Sequence, residues 1–243
     1  MEPFATRRAK LQRNLHSDEA FLIRQSQSKV RNHDVHYPYH PSRDFFYLTG
    51  IKEPDMWLLI TQTKTIVWSR PNTEKDILWE GTKLGDSVPQ RFAIDEWRPT
   101  NNSQDLTNHL QQFKKIYTIN CPNISHPNTE EEQGTNLIHA MRVIKDEHEM
   151  NAIRQACRIS AAAHNHLMSI THRQQHETFL EGQFFQHITQ HGIRSLAYPS
   201  IVAGGKNACT LHYTANNDSI KHSDLILVDA GCEYDEYCSD ITR

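Results

Sequence analysis

The sequence lacks the features that direct a chain into a membrane or out of the cell. Its apolar runs all fall short of the roughly 20 residues that a membrane-spanning helix needs. The charged N-terminus, Met1 to Asn14, has no apolar core of the kind that secretory signals contain. The five cysteines are scattered and form no Cys-x-x-Cys pair, which argues against a disulfide framework or a zinc cage. We therefore expect a cytoplasmic protein with reduced thiols.

An excess of basic charge is also missing. The 243 residues carry a formal net charge of -3, and no stripe of basic and aromatic residues is present, which argues against binding to nucleic acid. Internal repeats and low-complexity tracts are absent. Hydrophobic residues make up 37% of the chain, which is polar for a globular protein but too many for a disordered one. The length fits one large domain or two ordinary ones.

Histidine, in contrast, is abundant, with sixteen residues. The spacing of His187 and His191 puts them on one face of a predicted helix, which could suit a metal ion. No glutamate or cysteine around them completes a recognisable ligand pattern. We therefore favour solvated surface histidines over a metal site at this point.

Strands that alternate with helices in the first half predict an α/β unit. Helices are expected over residues 4–15, Thr73–Trp79 and Ser103–Phe113. The predicted strands are short apolar runs bounded by turn residues: Ala20–Ile23, Phe45–Leu48, Met56–Ile60, Thr65–Trp68 and Lys115–Ile119. The segment Cys121–Asn136 contains prolines, a glycine and an acidic triplet, and it fits either a linker between domains or a surface loop inside one domain.

The second half begins with the strongest helical pattern in the chain. Apolar residues recur at helical spacing from Lys145 to about Ile170, with acidic residues at the N-terminal end, where the helix dipole favours them. Another helix is expected over Glu177–Gln190, before Gly192. Strands are then predicted at Ser200–Ala203, Leu225–Val228 and Tyr237–Thr242.

Two aspartates near the end of the sequence are the first candidates for chemistry. Asp229 ends the apolar run Leu225–Val228, where a carboxylate is costly unless something binds it. A hairpin centred between Tyr234 and Asp235 would place Asp229 directly opposite Asp240. Two ionised carboxylates so close need a shared proton or a cation, and oxygen ligands suit a hard ion such as Mn²⁺ or Mg²⁺. Acidic residues that merely flank a hairpin are the alternative, and a bulge would change the register.

Several collinear segments resemble the aminopeptidase P family, and together they cover essentially the whole chain. Asp229–Tyr234 and Tyr237–Arg243 are similar to its two aspartate segments, and Leu211–Thr214 with Asn216 is similar to its histidine segment. The remaining matches, in chain order, are Tyr37–His40, Asp44–Gly50, Met141–Lys145 and Tyr198–Gly205.

The resemblance implies a fold in two parts. Residues 1–135 are expected to form an α/β creatinase-like N-terminal domain, and residues 136–243 the α+β first half of a pita-bread metallopeptidase domain. The implied activity is release of N-terminal residues that precede proline, with proline-containing peptides as substrates and two Mn(II) ions as cofactor. Asp229 is then expected to chelate one ion and Asp240 to bridge both, while His212 contacts the substrate and assists catalysis. The N-terminal domain of this family also commonly forms homo-oligomers.

The same resemblance raises a question about activity. The family site has five protein ligands, namely two aspartates followed by a histidine and two glutamates, and the last three have no counterpart in this sequence. Ala215 also departs from the acidic residue that the family commonly has there. We therefore expect a shortened Xaa-Pro aminopeptidase that is inactive alone. The alternative is a non-catalytic fragment or an assembly module built on the N-terminal domain.

Overall fold

A computed structural model describes residues 2–100, 104–122, 124–171 and 176–243. The chain divides into two compact units between Ile144 and Lys145. Each unit buries its own apolar side chains. Within the described ranges, no helix has the length and apolar character that a membrane crossing requires.

The first unit consists of helices around a mixed sheet. Its helices are α1 (Glu2–Gln12), α2 (Arg43–Thr49), α3 (Glu74–Glu80), α4 (Val88–Phe92), α5 (Gln104–Leu110) and α6 (Glu131–Val143), with a short 3₁₀ helix at Gly85–Ser87. Its strands are β1 (Glu19–Arg24), β2 (Val30–Asn32), β3 (Val35–His36), β4 (Trp57–Thr61), β5 (Thr65–Ser69), β6 (Glu96–Pro99), β7 (Lys115–Ile119) and β8 (Thr129–Glu130).

The main sheet has the strand order β6-β5-β4-β1-β7-β8, and β2 and β3 form a separate hairpin. Strand β1 pairs antiparallel with β4 and parallel with β7, so it lies inside the sheet. Its four central residues are buried, as expected for a continuous apolar run covered on both faces. The predicted strands at β1, β4, β5 and β7 are therefore confirmed.

The predicted strand Phe45–Leu48 is wrong, because these residues lie in helix α2. The Ser42 hydroxyl accepts a hydrogen bond from the amide of Phe45 and so caps the start of the helix. At the other end, Gly50 has a φ of 73°, and its amide donates to the Phe46 carbonyl at 2.7 Å. This left-handed cap favours glycine. A short apolar run is ambiguous between strand and helix, and here the two caps determine the outcome.

The segment proposed as a linker lies within the first unit. Residues 135 and 136, where the sequence placed the domain boundary, fall inside α6. This helix packs closely on β7, because a Cβ atom at Gly134 would lie 2.6 Å from the Thr118 carbonyl oxygen. Strand β8 also pairs with β7 just before α6 begins. The residues before α6 therefore extend the sheet instead of connecting two domains.

The second unit contains two long helices and several short strands. Its elements are α7 (Glu147–Ile170), α8 (Glu177–Thr189), β9 (Ile201–Gly204), a 3₁₀ helix at Gly205–Cys209, β10 (Ile226–Asp229), β11 (Glu233–Tyr234) and β12 (Tyr237–Cys238). The predicted helix after Lys145 is confirmed, and a capping box begins it: Asp146 and Glu149 each accept a hydrogen bond from the other's amide. Of the predicted strand Tyr237–Thr242, only Tyr237–Cys238 forms a regular strand, β12.

Candidate metal centre

Asp229 is the last residue of β10, which pairs antiparallel with β9 and places Asp229 beside Ile201. On the other side of β10, Val228 exchanges backbone hydrogen bonds with Arg243 at 2.8 and 2.9 Å. The backbone of this apolar strand is thus paired on both sides. The Asp229 side chain at the end of this strand is only half-buried, and its carboxylate lines a neighbouring pocket.

The hairpin after β10 has a different centre from the one predicted. Tyr234 pairs with Tyr237, so the turn consists of Asp235 and Glu236, with φ values of 47° and 67°. Two central residues with positive φ are typical of a type I′ turn. In this register Asp229 lies opposite Thr242, and the prediction that it lies directly opposite Asp240 is wrong.

The two carboxylates nevertheless converge. A register shift of two residues leaves a side chain on the same face, so Asp240 becomes a diagonal neighbour of Asp229. The phenolic hydroxyl of Tyr198 lies 2.5 Å from Oδ1 of Asp229 and 3.0 Å from Oδ1 of Asp240. Burial and these two hydrogen bonds raise the pKa of Tyr198, so the phenol keeps its proton and acts as a donor. The phenol has a single hydrogen, so it can satisfy only one of the two carboxylates at a time.

A tight chain crossing holds the turn between the two aspartates. A Cβ atom at Gly231 would lie 1.9 Å from the Ser239 carbonyl oxygen, which is a severe clash. Glycine fits here because it has no Cβ atom. The amide of Cys232 lies 3.0 Å from each of two buried hydroxyl oxygens, those of Ser160 and Ser239. Ser160 belongs to α7, so this helix anchors the segment that carries both aspartates.

A buried glutamate holds the loop that carries His212. Glu177, the first residue of α8, accepts hydrogen bonds from the amides of Gly204 and Asp218 at 2.8 and 2.9 Å. It also accepts from the Asn207 side chain at 3.1 Å and from the Tyr213 hydroxyl at 2.8 Å. Burial raises the pKa of Glu177, but these hydrogen bonds outweigh it, and the net pKa is lowered. An ionised Glu177 thus fixes the loop next to His212.

A pocket of about 380 Å³ brings the three predicted site residues together. His212 and Asp240 are exposed and Asp229 is half-buried, so all three are accessible to a solute. The pocket is lined by Tyr198, Pro199, Ile201, His212, Thr214, Asp229 and Asp240.

Comparisons with known proteins cover both units of the chain. Residues 4–117 match the family described as aminopeptidase P, N-terminal domain, and residues 151–243 match metallopeptidase family M24. The whole chain aligns with the Xaa-Pro aminopeptidases of Haemophilus influenzae and Escherichia coli, at 32% and 30% identity. The solved structure of proline aminopeptidase P II from Yersinia pestis superposes on all of it, with a TM-score of 0.93 and 31% identity.

The chain belongs to the aminopeptidase P family. It spans 60% and 61% of the length of the two bacterial relatives, and 62% of the Yersinia chain. The fold class predicted from the sequence is confirmed: an α/β N-terminal domain of aminopeptidase P followed by part of a pita-bread domain.

Metallopeptidases of family M24 use divalent metal ions, and the donors in this aminopeptidase P pocket fit such an ion. Asp229 and Asp240 direct carboxylate oxygens at one phenolic hydrogen, which can satisfy only one of them at a time. A divalent cation would balance the charge of both. Carboxylate oxygens are the ligands that Mn²⁺ and Mg²⁺ prefer, whereas cysteine-rich sets favour softer ions.

Sequence reasoning missed Tyr198 as a functional residue. It belongs to the Tyr198–Gly205 segment that carried part of the family resemblance, but nothing in its neighbourhood assigned it a role. Its contacts are 31 and 42 residues away along the chain, so only the folded arrangement reveals them. Glu177 was missed for the same reason, because it reads as an ordinary acidic residue at a helix start.

Proposed function

We propose that this chain carries one side of the active site of a metal-dependent Xaa-Pro aminopeptidase, which releases N-terminal residues that precede proline. The observation that carries the proposal is the convergence of Asp229 and Asp240 on the Tyr198 hydroxyl, in a pocket that also contains His212. We further propose Mn(II) as the native metal. The names of the bacterial relatives support the activity, and the carboxylate donors support a hard ion.

Each pocket residue has a role in this proposal. Asp229 and Asp240 hold the metal, and the Tyr198 hydroxyl, which lies within hydrogen-bond distance of both carboxylates, orients them by donating to one at a time. When bound, divalent ions activate water and polarise the peptide carbonyl. The imidazole of His212 hydrogen-bonds the peptide and assists proton movement. Pro199 and Ile201 offer apolar surface to the peptide side chains.

The donor set of the described pocket is too small for the whole centre. Among the residues that line it, two carboxylates and one imidazole can bind a metal ion, and His212 is assigned to the substrate. The family resemblance implies five ligands for two ions. We therefore expect the chain to bind metal weakly and not to hydrolyse Xaa-Pro peptides by itself, because a catalytic metal needs a fixed coordination geometry.

The assignment of domains and compartment completes the proposal. We assign the first unit, Met1–Ile144, to the creatinase-like N-terminal domain and the second unit, Lys145–Arg243, to the metallopeptidase domain, which moves the boundary expected between residues 135 and 136 to the end of α6. All five cysteines are unpaired in the structure, which supports the proposal of a reducing, cytoplasmic location.

One observation favours the alternative, a non-catalytic assembly module. Helix α3 buries none of its residues, and Ile77, Leu78 and Trp79 are 46%, 82% and 75% exposed. A contiguous exposed apolar patch is typical of an interaction surface. Self-association in sedimentation velocity, without metal binding at Asp229 and Asp240, would support this alternative over the enzyme.

A chimera tests the proposed activity. The chain would be joined to the part of the E. coli Xaa-Pro aminopeptidase that lies outside its match to this chain, and both would be assayed with Mn²⁺ on an Xaa-Pro peptide. We expect the chimera to release the residue before proline and to leave a matched Xaa-Ala peptide uncut. The chain alone should release no more product than its Asp229→Asn/Asp240→Asn variant.

The same double substitution in the chimera is the control, since it removes only the proposed ligands. A chimera that folds, as judged by circular dichroism, but cuts neither peptide would argue against the proposed activity. Metal-dependent cleavage by the chain alone would contradict our expectation that its ligand set is incomplete. It would leave the assignment of the two aspartates as metal ligands intact.

A further inference from the structure

Three histidines form a cluster on the two long helices of the second unit, outside the aspartate pocket. His187 and His191 are one turn apart around the end of α8, and His166 lies on α7. The rings of His166 and His187 stack with centroids 5.5 Å apart and an interplanar angle of 26°. The centroids of His187 and His191 are 5.7 Å apart. The structure thus adds a third imidazole to the pair that the sequence had suggested.

The central ring of this cluster has an unused polar atom. Nε2 of His187 is buried, and among the described residues it has no hydrogen-bond partner. Buried polar atoms are almost always hydrogen-bonded, so such an atom requires an explanation. A ligand absent from the structure is one explanation that the neighbouring rings support.

The chemistry of the cluster suits a cation-binding imidazole. Burial lowers the pKa of His187, and the adjacent His166 and His191 lower it further. At neutral pH this ring is therefore neutral, and a neutral imidazole has a lone pair for a metal ion. Nε2 of His166 lies 3.5 Å from Oε1 of the Gln183 side chain. At this distance the hydrogen bond is weak, so the His166 ring can rotate away from Gln183.

We propose that His166, His187 and His191 form a binding site for a divalent transition-metal ion that prefers imidazole, such as Zn²⁺ or Cu²⁺. His187 lies in the last turn of α8, His191 follows two residues after the helix ends, and α7 packs beside α8, so rotation of the three side chains can bring their nitrogens toward one ion. The rings lie side by side in this structure and must turn about their side-chain bonds to aim three nitrogens at one ion. Nitrogen ligands distinguish this site from the oxygen-rich aspartate pocket.

Metal titration of the untagged full chain tests the proposal. Zn²⁺ binding would be measured by calorimetry at pH 7.5 in the Asp229→Asn/Asp240→Asn background, which removes the aspartate pocket as a competitor. We expect one equivalent to bind, and His187→Gln to weaken the affinity by more than about tenfold. The matched control is His222→Gln, since His222 is an exposed histidine of the same unit outside the cluster.

A second measurement identifies the ligands. Cu²⁺ in the same background should give an electron paramagnetic resonance spectrum with nitrogen couplings from three imidazoles, and the His187→Gln variant should lose the coupling of one nitrogen, while circular dichroism shows an unchanged fold. Zn²⁺ affinity that is equal in His187→Gln and the parent, or reduced as much by His222→Gln, would overturn the proposal. The absence of any Zn²⁺ binding would overturn it as well.

Discussion

We expect the Gly231→Ala variant to lose the native arrangement around the two aspartates. The added Cβ would lie 1.9 Å from the backbone carbonyl oxygen of Ser239, far inside the distance that atoms of this kind tolerate. Relief requires the backbone to move, because the clashing atom is not the end of a flexible side chain. The hydrogen bonds that Cys232 makes across the same crossing would then be lost. We estimate a destabilisation of at least about 3 kcal/mol.

Gly182→Ala is the matched control for this substitution. Gly182 lies in the middle of α8, and no described atom outside its own stretch of helix lies within 4 Å of the added Cβ. Alanine in a helix interior is favoured over glycine by about 0.5–1 kcal/mol, so this variant should be at least as stable as the wild type. Thermal unfolding of both variants makes the comparison. Equal melting temperatures for Gly231→Ala and the wild type would contradict the tight crossing.

The Glu177→Gln variant should be the second most damaging change. Glutamine keeps the size of the side chain but replaces one acceptor oxygen by an NH₂ group. In place of Oε1 this group would face the donors of Gly204 and Asn207. In place of Oε2 it would face the donors of Tyr213 and Asp218. Hydrogen bonds to a charged acceptor contribute more than neutral ones, so we expect a loss of about 3 kcal/mol at neutral pH.

The pH dependence of this effect has a definite sign. The pKa of Glu177 is lowered in the folded protein, so its ionised form stabilises the fold above the ordinary glutamate pKa of 4.5. That contribution is lost as the pH falls from 4.5 through the lowered pKa of Glu177 in the folded protein. The difference in stability between wild type and Glu177→Gln should therefore shrink on acidification. Glu181→Gln, on the same helix, serves as control, and a gap that stays constant with pH would contradict this role.

Regular elements could be predicted where local sequence and tertiary packing agree. The apolar run in β1 and the acidic start of α7 correspond to a buried strand and a capping box. Phe45–Leu48 failed because a short buried helix and a short buried strand have similar composition. The hairpin centre failed because Asp235 and Glu236 adopt positive φ without the asparagine or glycine that normally indicates such a turn.

The candidate site followed from the family resemblance more than from spacing. The resemblance singled out Asp229, Asp240 and His212, and the structure arranges all three around one pocket. Their roles as ligands and substrate contact stay predictions. The contacts of Tyr198 and Glu177 join segments far apart in the chain, so no local pattern could reveal them.

Binding of Mn²⁺ to the purified chain tests the central claim, that Asp229 and Asp240 are metal ligands, most directly. Free Mn²⁺ would be followed by electron paramagnetic resonance during titration of the wild type, Asp229→Asn/Asp240→Asn, and Asp235→Asn as control. Asn at position 235 removes a carboxylate from the turn of the same hairpin, outside the pocket lining, and tolerates the left-handed backbone there. We expect the double variant to bind at least about tenfold more weakly, and the control to bind like the wild type. Equal affinity of the double variant and the wild type would contradict the assignment.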